Sequence, residues 1–442
     1  MAIFQVSNQR IAIAFVVVSF FLSERLSSCC LAQQQQPLHD NNASSPSVLR
    51  RRLDEQEENP FSTVPVAHVI GPTVFPKPTD IRGKNNEPLV PLLKPIQGTH
   101  RPAEDAILLF ASEYTETNYA LFVESLRETG FSGDVVMAIH PSDWKKKPVK
   151  DYLQSYENPD DENELHVIVY APQPDCFTLE RDHVFSSKGG SRTCQFHDFY
   201  GTTQTDGSVV GVPDPRADRT VANIRYELYW LMTINYHPHS WIMLVDFRDT
   251  VFQSNPFVNV PRSSPTDAGG FLFFFGENRD ATRIGRSKQN NKWIRTAYGD
   301  IIGNALAEKP TICSGATLGE QVALETYLRA MVAEADETLV VLVGSDQGFH
   351  NRLYYSAKLA NAPTIKSIAV FDQGTGIVNN MGALRTKPLE EWGNGHIVEQ
   401  NGDDWKVLNW DGTPRYVMRE RQVTANITSI VVWKLTVCIS LY

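Results

Sequence analysis

From Ala106 onward the chain alternates short, continuously apolar runs with stretches of helical period, and this alternation constrains the fold more than any other feature. Ala106-Ile-Leu-Leu-Phe-Ala111 has the length of a strand, Asn118 to Arg127 carries helical spacing that Gly130 ends, and Asp134-Val-Val-Met-Ala-Ile139 is a second apolar strand. His166-Val-Ile-Val-Tyr170 supplies a third. Strands apolar on both faces and separated by helices predict an α/β fold with a Rossmann-type, mostly parallel sheet flanked by helices. In such sheets ligands bind beyond the carboxyl ends of the strands, so the chemistry is sought there.

Composition narrows the function classes. Lys and Arg number 41 against 51 Asp and Glu, a formal net charge of −10, and no basic stripe interrupts the balance. Nucleic acid is therefore excluded as a partner, because its binding depends on neutralising phosphates with cationic side chains. There is no G-X-Y period and no long heptad run, and 6 Cys in 442 residues do not make a disulfide miniprotein. At about 150 residues per domain, this length admits up to three domains.

The one strongly apolar block, Ile11 to Leu22, follows Arg10 and falls short of the roughly 20 residues a membrane span needs. Residues 1–32 read as a cleaved signal peptide or a signal anchor, with a buried core strand as the third alternative. Either targeting reading places the chain in the secretory pathway, touching the membrane only through a possible N-terminal anchor. There Asn42-Ala43-Ser44 and Asn426-Ile427-Thr428 fit the glycosylation pattern, which is short enough to arise by chance. Residues 33–100 are Gln-rich, then Pro-punctuated, without amphipathic period, and are expected to form a disordered stem; Arg50-Arg51-Arg52 within them is a processing site or a solvated charge cluster. Cys176 and Cys194 flank a loop and are either a disulfide or two free thiols.

Between Arg219 and Phe257 the pattern becomes more specific. Val221, Ile224, Leu228, Leu231 and Met232 recur at helical spacing, while Arg225 and Tyr229, four apart, share another side of the helix. Pro238 breaks it, and Trp241-Ile-Met-Leu-Val245 follows as a buried strand ending in Asp246-Phe-Arg-Asp249. Acidic residues delivered by an apolar strand suit a divalent cation, which takes oxygen ligands. They equally suit turn capping or ordinary ion pairs with Arg248.

Asp249-Thr-Val-Phe-Gln-Ser-Asn-Pro-Phe257, behind that strand, resembles the segment after the acidic motif in nucleotide-diphospho-sugar transferases of the GT-A type. In these glycosyltransferases a D-x-D run leads into an aromatic and then Asn/Asp-Pro-Phe. Asp249 takes the second Asp position, the first falls on Phe247, and Asp246 lies one residue earlier, so the motif is a shifted D-x-x-D. The resemblance implies that Asp249 coordinates Mn²⁺ or Mg²⁺ at the diphosphate of a nucleotide-sugar donor, with Asp246 near the metal or the ribose. The metal neutralises the departing diphosphate.

Further stretches extend the resemblance in the family's order. Gly270 to Glu277 reads as a strand closing on an acid, and Pro310-Thr-Ile-Cys-Ser-Gly-Ala-Thr-Leu-Gly319 resembles the family's S-G loop before a helix. Ser314 and Gly315 become candidate donor- or acceptor-binding positions, as does Arg225; a plain helix start is the alternative for the first two. Gly344-Ser-Asp-Gln-Gly-Phe-His-Asn351 resembles the D-Q motif near the sugar pocket, which makes Asp346 and Gln347 the catalytic candidates, Asp346 binding donor hydroxyls or acting as base. Ser345 and Asp346 are also N-cap types, and His350 packs on the helix or serves a metal.

Lys406 to Gly412 reads as a hairpin with an Asp-Gly turn. Where the family often carries a His, this chain reads Tyr416-Val-Met-Arg-Glu-Arg-Gln422, leaving Arg419 or Arg421 as diphosphate partners. The resemblance implies a single GT-A-like catalytic domain over 101–424, with an atypical tail over 425–442. It implies a metal-dependent hexosyl- or pentosyltransferase acting on a hydroxyl of a glycan or glycoprotein acceptor, in the Golgi lumen, or secreted if the signal is cleaved. The alternative is a catalytically inactive glycan- or nucleotide-sugar-binding relative. A haloacid-dehalogenase-like phosphatase needs D-x-D-x-Thr, which Asp246-Phe-Arg-Asp-Thr250 does not supply.

Overall fold

The computed structural model describes residues 59–64, 72–83, 86–156, 164–179, 191–216, 218–248, 250–384, 397–401, 404–408 and 417–419. All of them belong to one compact unit, Glu58–Tyr442. The expected signal segment, both glycosylation patterns, Asp249, Arg421 and the expected tail lie outside the described residues.

Strand β1 (Val90–Pro91) precedes β2 (Ala106–Ala111), α1 (Glu116–Arg127), β3 (Asp134–Ile139), α2 (Pro141–Trp144), α3 (Lys147–Gln154) and β4 (His166–Tyr170). An excursion follows, made of β5 (Pro174–Leu179), β6 (Ser191–Phe196), β7 (Tyr200–Thr203), β8 (Val209–Val212) and β9 (Arg219–Thr220). The chain then returns through α4 (Val221–Thr233), β10 (Trp241–Asp246), β11 (Thr250–Phe252), β12 (Gly270–Gly276), α5 (Lys288–Leu306) and β13 (Ile312–Glu320). Beyond β13 come α6 (Gln321–Thr338), α7 (Ser345–Tyr355), β14 (Ile365–Phe371), β15 (Val378–Asn380), β16 (Ile397–Asn401), β17 (Asp404–Leu408) and β18 (Val417–Arg419).

The central sheet has seven strands in the order β14-β12-β13-β10-β2-β3-β4. It is mixed: β13 alone runs antiparallel to its neighbours β10 and β12. Alternation along each strand sends side chains to opposite faces, so Ala106 and Leu108 join a core with α4, α6 and α7, while Ile107 and Leu109 join one with α1 and α3. Both faces are thus covered by helices, which is why these strands read as unbroken apolar runs. Gly130, at φ 74, stands in the left-handed region just beyond α1, where a side chain would be strained.

Two expectations change. Residues expected in the stem belong in part to the folded unit: Phe61, Phe75 and Leu89 are buried in the core, and β1 pairs with β7. They contribute single apolar side chains between prolines rather than an amphipathic element, so no period marks them. The expected hairpin is also placed differently, since β17 is the second strand of a pair whose first is β16, while Asp411-Gly412 lies outside the described residues.

Within the excursion Cys176 and Cys194 face each other across β5 and β6 and form a disulfide. A largely buried ion cluster ties this region to the helices. Arg216 and Arg219 engage Asp214, Glu227 of α4 and Asp336 of α6, and Arg216 also donates to the Pro78 carbonyl. Among the described residues, no helix is long and apolar enough to cross a membrane.

Candidate functional site

The carboxyl ends of the parallel strands β10 and β12 share one edge of the sheet, and antiparallel β13 presents its amino end between them. Asp246 closes β10, Glu277 follows β12, and Ser314 stands near the start of β13. Helices α4 and α7 bring Arg225, Tyr226, Asp346 and Gln347 to the same edge.

Arg225 is the hub. One Nη donates to Asp246 Oδ1 at 2.5 Å and the other to Asp346 Oδ2 at 2.7 Å, so one guanidinium joins a strand end to a helix start. Asp346 Oδ2 also accepts from Ser314 Oγ at 3.0 Å and from the Tyr226 hydroxyl at 3.2 Å. Asp346 is 3 % exposed, whereas the Asp246 side chain is 32 % exposed, so the array opens to solvent on the Asp246 side. Burial opposes the Arg225 charge, but Asp246 and Asp346 outweigh it and hold the group well above its ordinary range. Tyr226 is pushed up, chiefly by burial, and stays a neutral donor.

Gln347 extends the array in another direction. Its Oε1 accepts from the Ser314 amide at 3.4 Å, and its Nε2 donates to Asn290 Oδ1 at 2.9 Å and Glu277 Oε1 at 3.2 Å. Beneath it, the Asn351 side chain pairs with both the amide and the carbonyl of Ile312, at 2.9 and 2.8 Å, locking β13 to α7.

The start of α7 is not capped by a side chain. Gly344 is its N-cap at φ 85, and a Cβ there would fall 2.2 Å from the Trp293 ring. Ser345 instead donates to the Leu342 carbonyl and accepts from Asn223, and Asp346 turns into the site, so the capping alternative is set aside. His350 is fully buried between Phe274 and the Tyr327 hydroxyl, and burial lowers its pKa to about 3, leaving a neutral core histidine.

Ser314 and Gly315 lie within β13, not in a loop before a helix. Ser, Gly and Ala have low strand preference and read as loop; here the strand is held by its pairing with β10 on one side and β12 on the other. The ladder to β12 jumps from Thr317 opposite Phe274 to Cys313 opposite Phe275, leaving Ser314, Gly315 and Ala316 as an irregularity. Such bulges re-aim side chains beside functional sites, and this one accompanies the turn of Ser314 Oγ to Asp346.

The shifted acidic motif acquires a reason. Phe247, at the family's first Asp position, is 2 % exposed and packs among Tyr114, Tyr119 and Phe122 at ring distances of 5.0, 4.8 and 5.4 Å. Asp246, one residue earlier, faces Arg225. Asp249 is outside the described residues, so the expected metal pair is described only at Asp246. Among the described residues no group of three or more His, Cys, Asp or Glu is gathered as a metal site. The backbone of Arg419 in β18 pairs with Thr250 and Asn380, which brings the segment lacking the expected His beside the residue after Asp249.

Arg225, Asp246, Ser314, Asp346 and Gln347 are therefore joined in one connected array, with Gly315 buried beside Ser314. Tyr226, Asn290 and Asn351 escape sequence reasoning, because polar residues inside helices carry no period. Glu277 is visible only as an acid closing a strand. A guanidinium spent on two carboxylates leaves the array net negative and ringed by hydroxyl and amide groups, which suits a cation or a ligand rich in hydroxyls. The sequence matches no family model and no curated protein.

Proposed function

We propose that the protein is a GT-A-like, metal-dependent glycosyltransferase that moves a hexose or pentose from a nucleotide diphosphate sugar to a hydroxyl of a glycan or glycoprotein. One observation carries this reading: Arg225 joins Asp246 of the acidic motif to Asp346 of the D-Q motif, with Ser314 of the S-G stretch on the same carboxylate. Stretches far apart in sequence thus meet at the strand edge where α/β folds bind ligands.

A divalent cation, Mn²⁺ or Mg²⁺, belongs to the proposal, held by Asp246 and Asp249. Asp246 offers the right donor, a hard carboxylate oxygen fixed at a strand end with a third of the side chain open. The cation supplies neutralisation of the departing diphosphate. The chain's own groups do the rest: Arg225 links the two carboxylates, while Asp346, Ser314 and Tyr226 bond one another as a buried, preorganised floor that fixes Arg225 and, through it, Asp246. The Cys176–Cys194 disulfide supports work in an oxidising compartment, the secretory pathway and its Golgi lumen.

The test is thermal unfolding with UDP and GDP, with and without Mn²⁺, followed by nucleotide-sugar hydrolysis by Asp249→Asn and Asp346→Asn. One nucleotide should stabilise the protein in a Mn²⁺-dependent way, and both variants should lose hydrolysis. The reading fails if neither nucleotide stabilises and Asp249→Asn changes nothing. A second reading, a catalytically inactive nucleotide-sugar- or glycan-binding relative, is favoured by the placement of β18, without His, beside Thr250. It predicts nucleotide stabilisation with no hydrolysis by the wild type.

A further inference from the structure

The array has a second wall that the donor reading does not use. Asp346 Oδ2 is already engaged by Arg225, Ser314 and Tyr226, so Asp346 is committed to the floor. Its neighbour Gln347 reaches Glu277 at the end of β12 and Asn290 on α5. Trp293 lies one turn beyond Asn290 on the same helix, with its ring against Gly344 and its Cβ and backbone against Gly348 at the start of α7. Glu277, Trp293 and Gln347 are each half-buried, whereas Asp346 beneath is sealed, so this wall faces outward at the mouth of the array. Val343, 57 % exposed, continues the apolar surface past Gly344.

An indole and a carboxylate on one half-buried wall are the chemistry that recognises a pyranose: the aromatic surface covers the ring's C–H face, and the carboxylate reads its hydroxyls. Gly344 makes this arrangement possible, since any side chain there would collide with the indole. We infer that Glu277 and Trp293 form a carbohydrate subsite for the acceptor, with Trp293 as stacking platform and Glu277 as the hydroxyl-binding carboxylate, while the buried Asn290 holds Gln347 behind them. The inference rests on the transferase reading for the word acceptor, but binding of a neutral sugar at this wall can be measured without it.

The probe is a set of methyl pyranosides, the α and β methyl glycosides of glucose, galactose, mannose and xylose, titrated by saturation-transfer NMR against the full chain. At least one should bind the wild type. Trp293→Ala should weaken it about tenfold or more, Trp293→Phe should stay within about threefold because a ring remains, and Glu277→Gln should weaken it by about tenfold. Nucleotide-induced stabilisation, read on the same samples, should persist in all three variants, which also verifies that they fold. Wild-type protein that binds none of the glycosides overturns the inference, as does a Trp293→Phe protein that binds no better than Trp293→Ala. Absence of nucleotide stabilisation alongside intact glycoside binding overturns the transferase reading instead.

Discussion

Helix α4 carries two charged clusters whose anchors, Arg225 and Glu227, are two residues apart and so face different ways. Around Glu227 the cluster is closed over its centre: the side chains of Arg216, Arg219, Asp214 and Glu227 are 2, 5, 2 and 0 % exposed, and Asp336 stands at its rim at 29 %. Around Arg225 it is open, with Asp246 at 32 %. The closed one stitches an excursion and an N-terminal segment to two helices; the open one ends at solvent, at the carboxyl edge of the sheet. Each cluster has one partly exposed carboxylate, so what distinguishes them is the place of that group, on helix α6 in the first and at the end of strand β10 in the second.

The end of β10 divides in the same way, and there the comparison can be strained hardest. Phe247→Asp would create on paper the D-x-D spacing of the GT-A enzymes that the segment resembles. Because Phe247 is sealed among three aromatic rings, the substitution should cost about 5 kcal/mol or more, from lost packing plus a buried carboxylate, and create no metal response. Urea unfolding with and without Mn²⁺ reads both; a stable variant with stronger Mn²⁺ binding would break the division. Next comes Glu227→Ala, which strands two buried guanidinium groups and the Tyr200 hydroxyl. It should cost about 3–5 kcal/mol by the same measurement, and a loss under about 1 kcal/mol would show that the closed cluster does not hold the fold.

Acid distinguishes the closed cluster further. Its two guanidinium groups, Arg216 and Arg219, face three carboxylates, and Asp214 also lies near the Tyr200 hydroxyl. Burial, then the Glu227 charge, raises Asp214 from 3.8 to about 6 despite both arginines. Its folded-state affinity for a proton therefore exceeds the unfolded one, so its contribution to stability is lost as pH rises from about 4 through about 6 and stays lost above. Asp214→Asn has no such dependence. Relative to the wild type, the variant should gain about 2 kcal/mol between about pH 4.5 and pH 7.5. Taking the difference cancels the buried His100 and His350, which burial holds down at about 4 and about 3. A pH-independent difference would place the retained proton elsewhere.

The two clusters also differ in how far sequence reveals them. Asp246, Asp346 and Ser314 stand at strand or helix starts and ends, where apolar periodicity breaks off, and such breaks are conspicuous. Arg216 sits in a bend directly after Pro215, Arg219 in the two-residue strand β9 and Glu227 in a helix interior, where a charge looks like solvated surface until tertiary packing closes over it. The same limit applies to the sheet. β2, β3, β4 and β10 are legible as apolar runs, but β13 is hidden because its Ser314-Gly315-Ala316 stretch carries little apolar bulk and is held by pairing with its neighbours. Phe61, Phe75 and Leu89 are invisible for a related reason, as each fills a core position without belonging to a periodic element.

The smallest stability effect belongs to the open cluster and carries the most functional weight. Asp246→Asn keeps the shape, leaves Asp346 on Arg225, and removes a charge whose side chain is a third open. Exposed or half-exposed ion pairs contribute little, so unfolding should shift by less than about 1 kcal/mol. Arg225→Lys should behave similarly in direction, yet a lysine offers one point charge where the planar guanidinium reaches two carboxylates at once. Both variants should lose the Mn²⁺-dependent response to nucleotide while remaining folded. If instead Asp246→Asn unfolds as readily as Glu227→Ala, the open cluster is as structural as the closed one, and solvent access at the sheet edge no longer identifies the site.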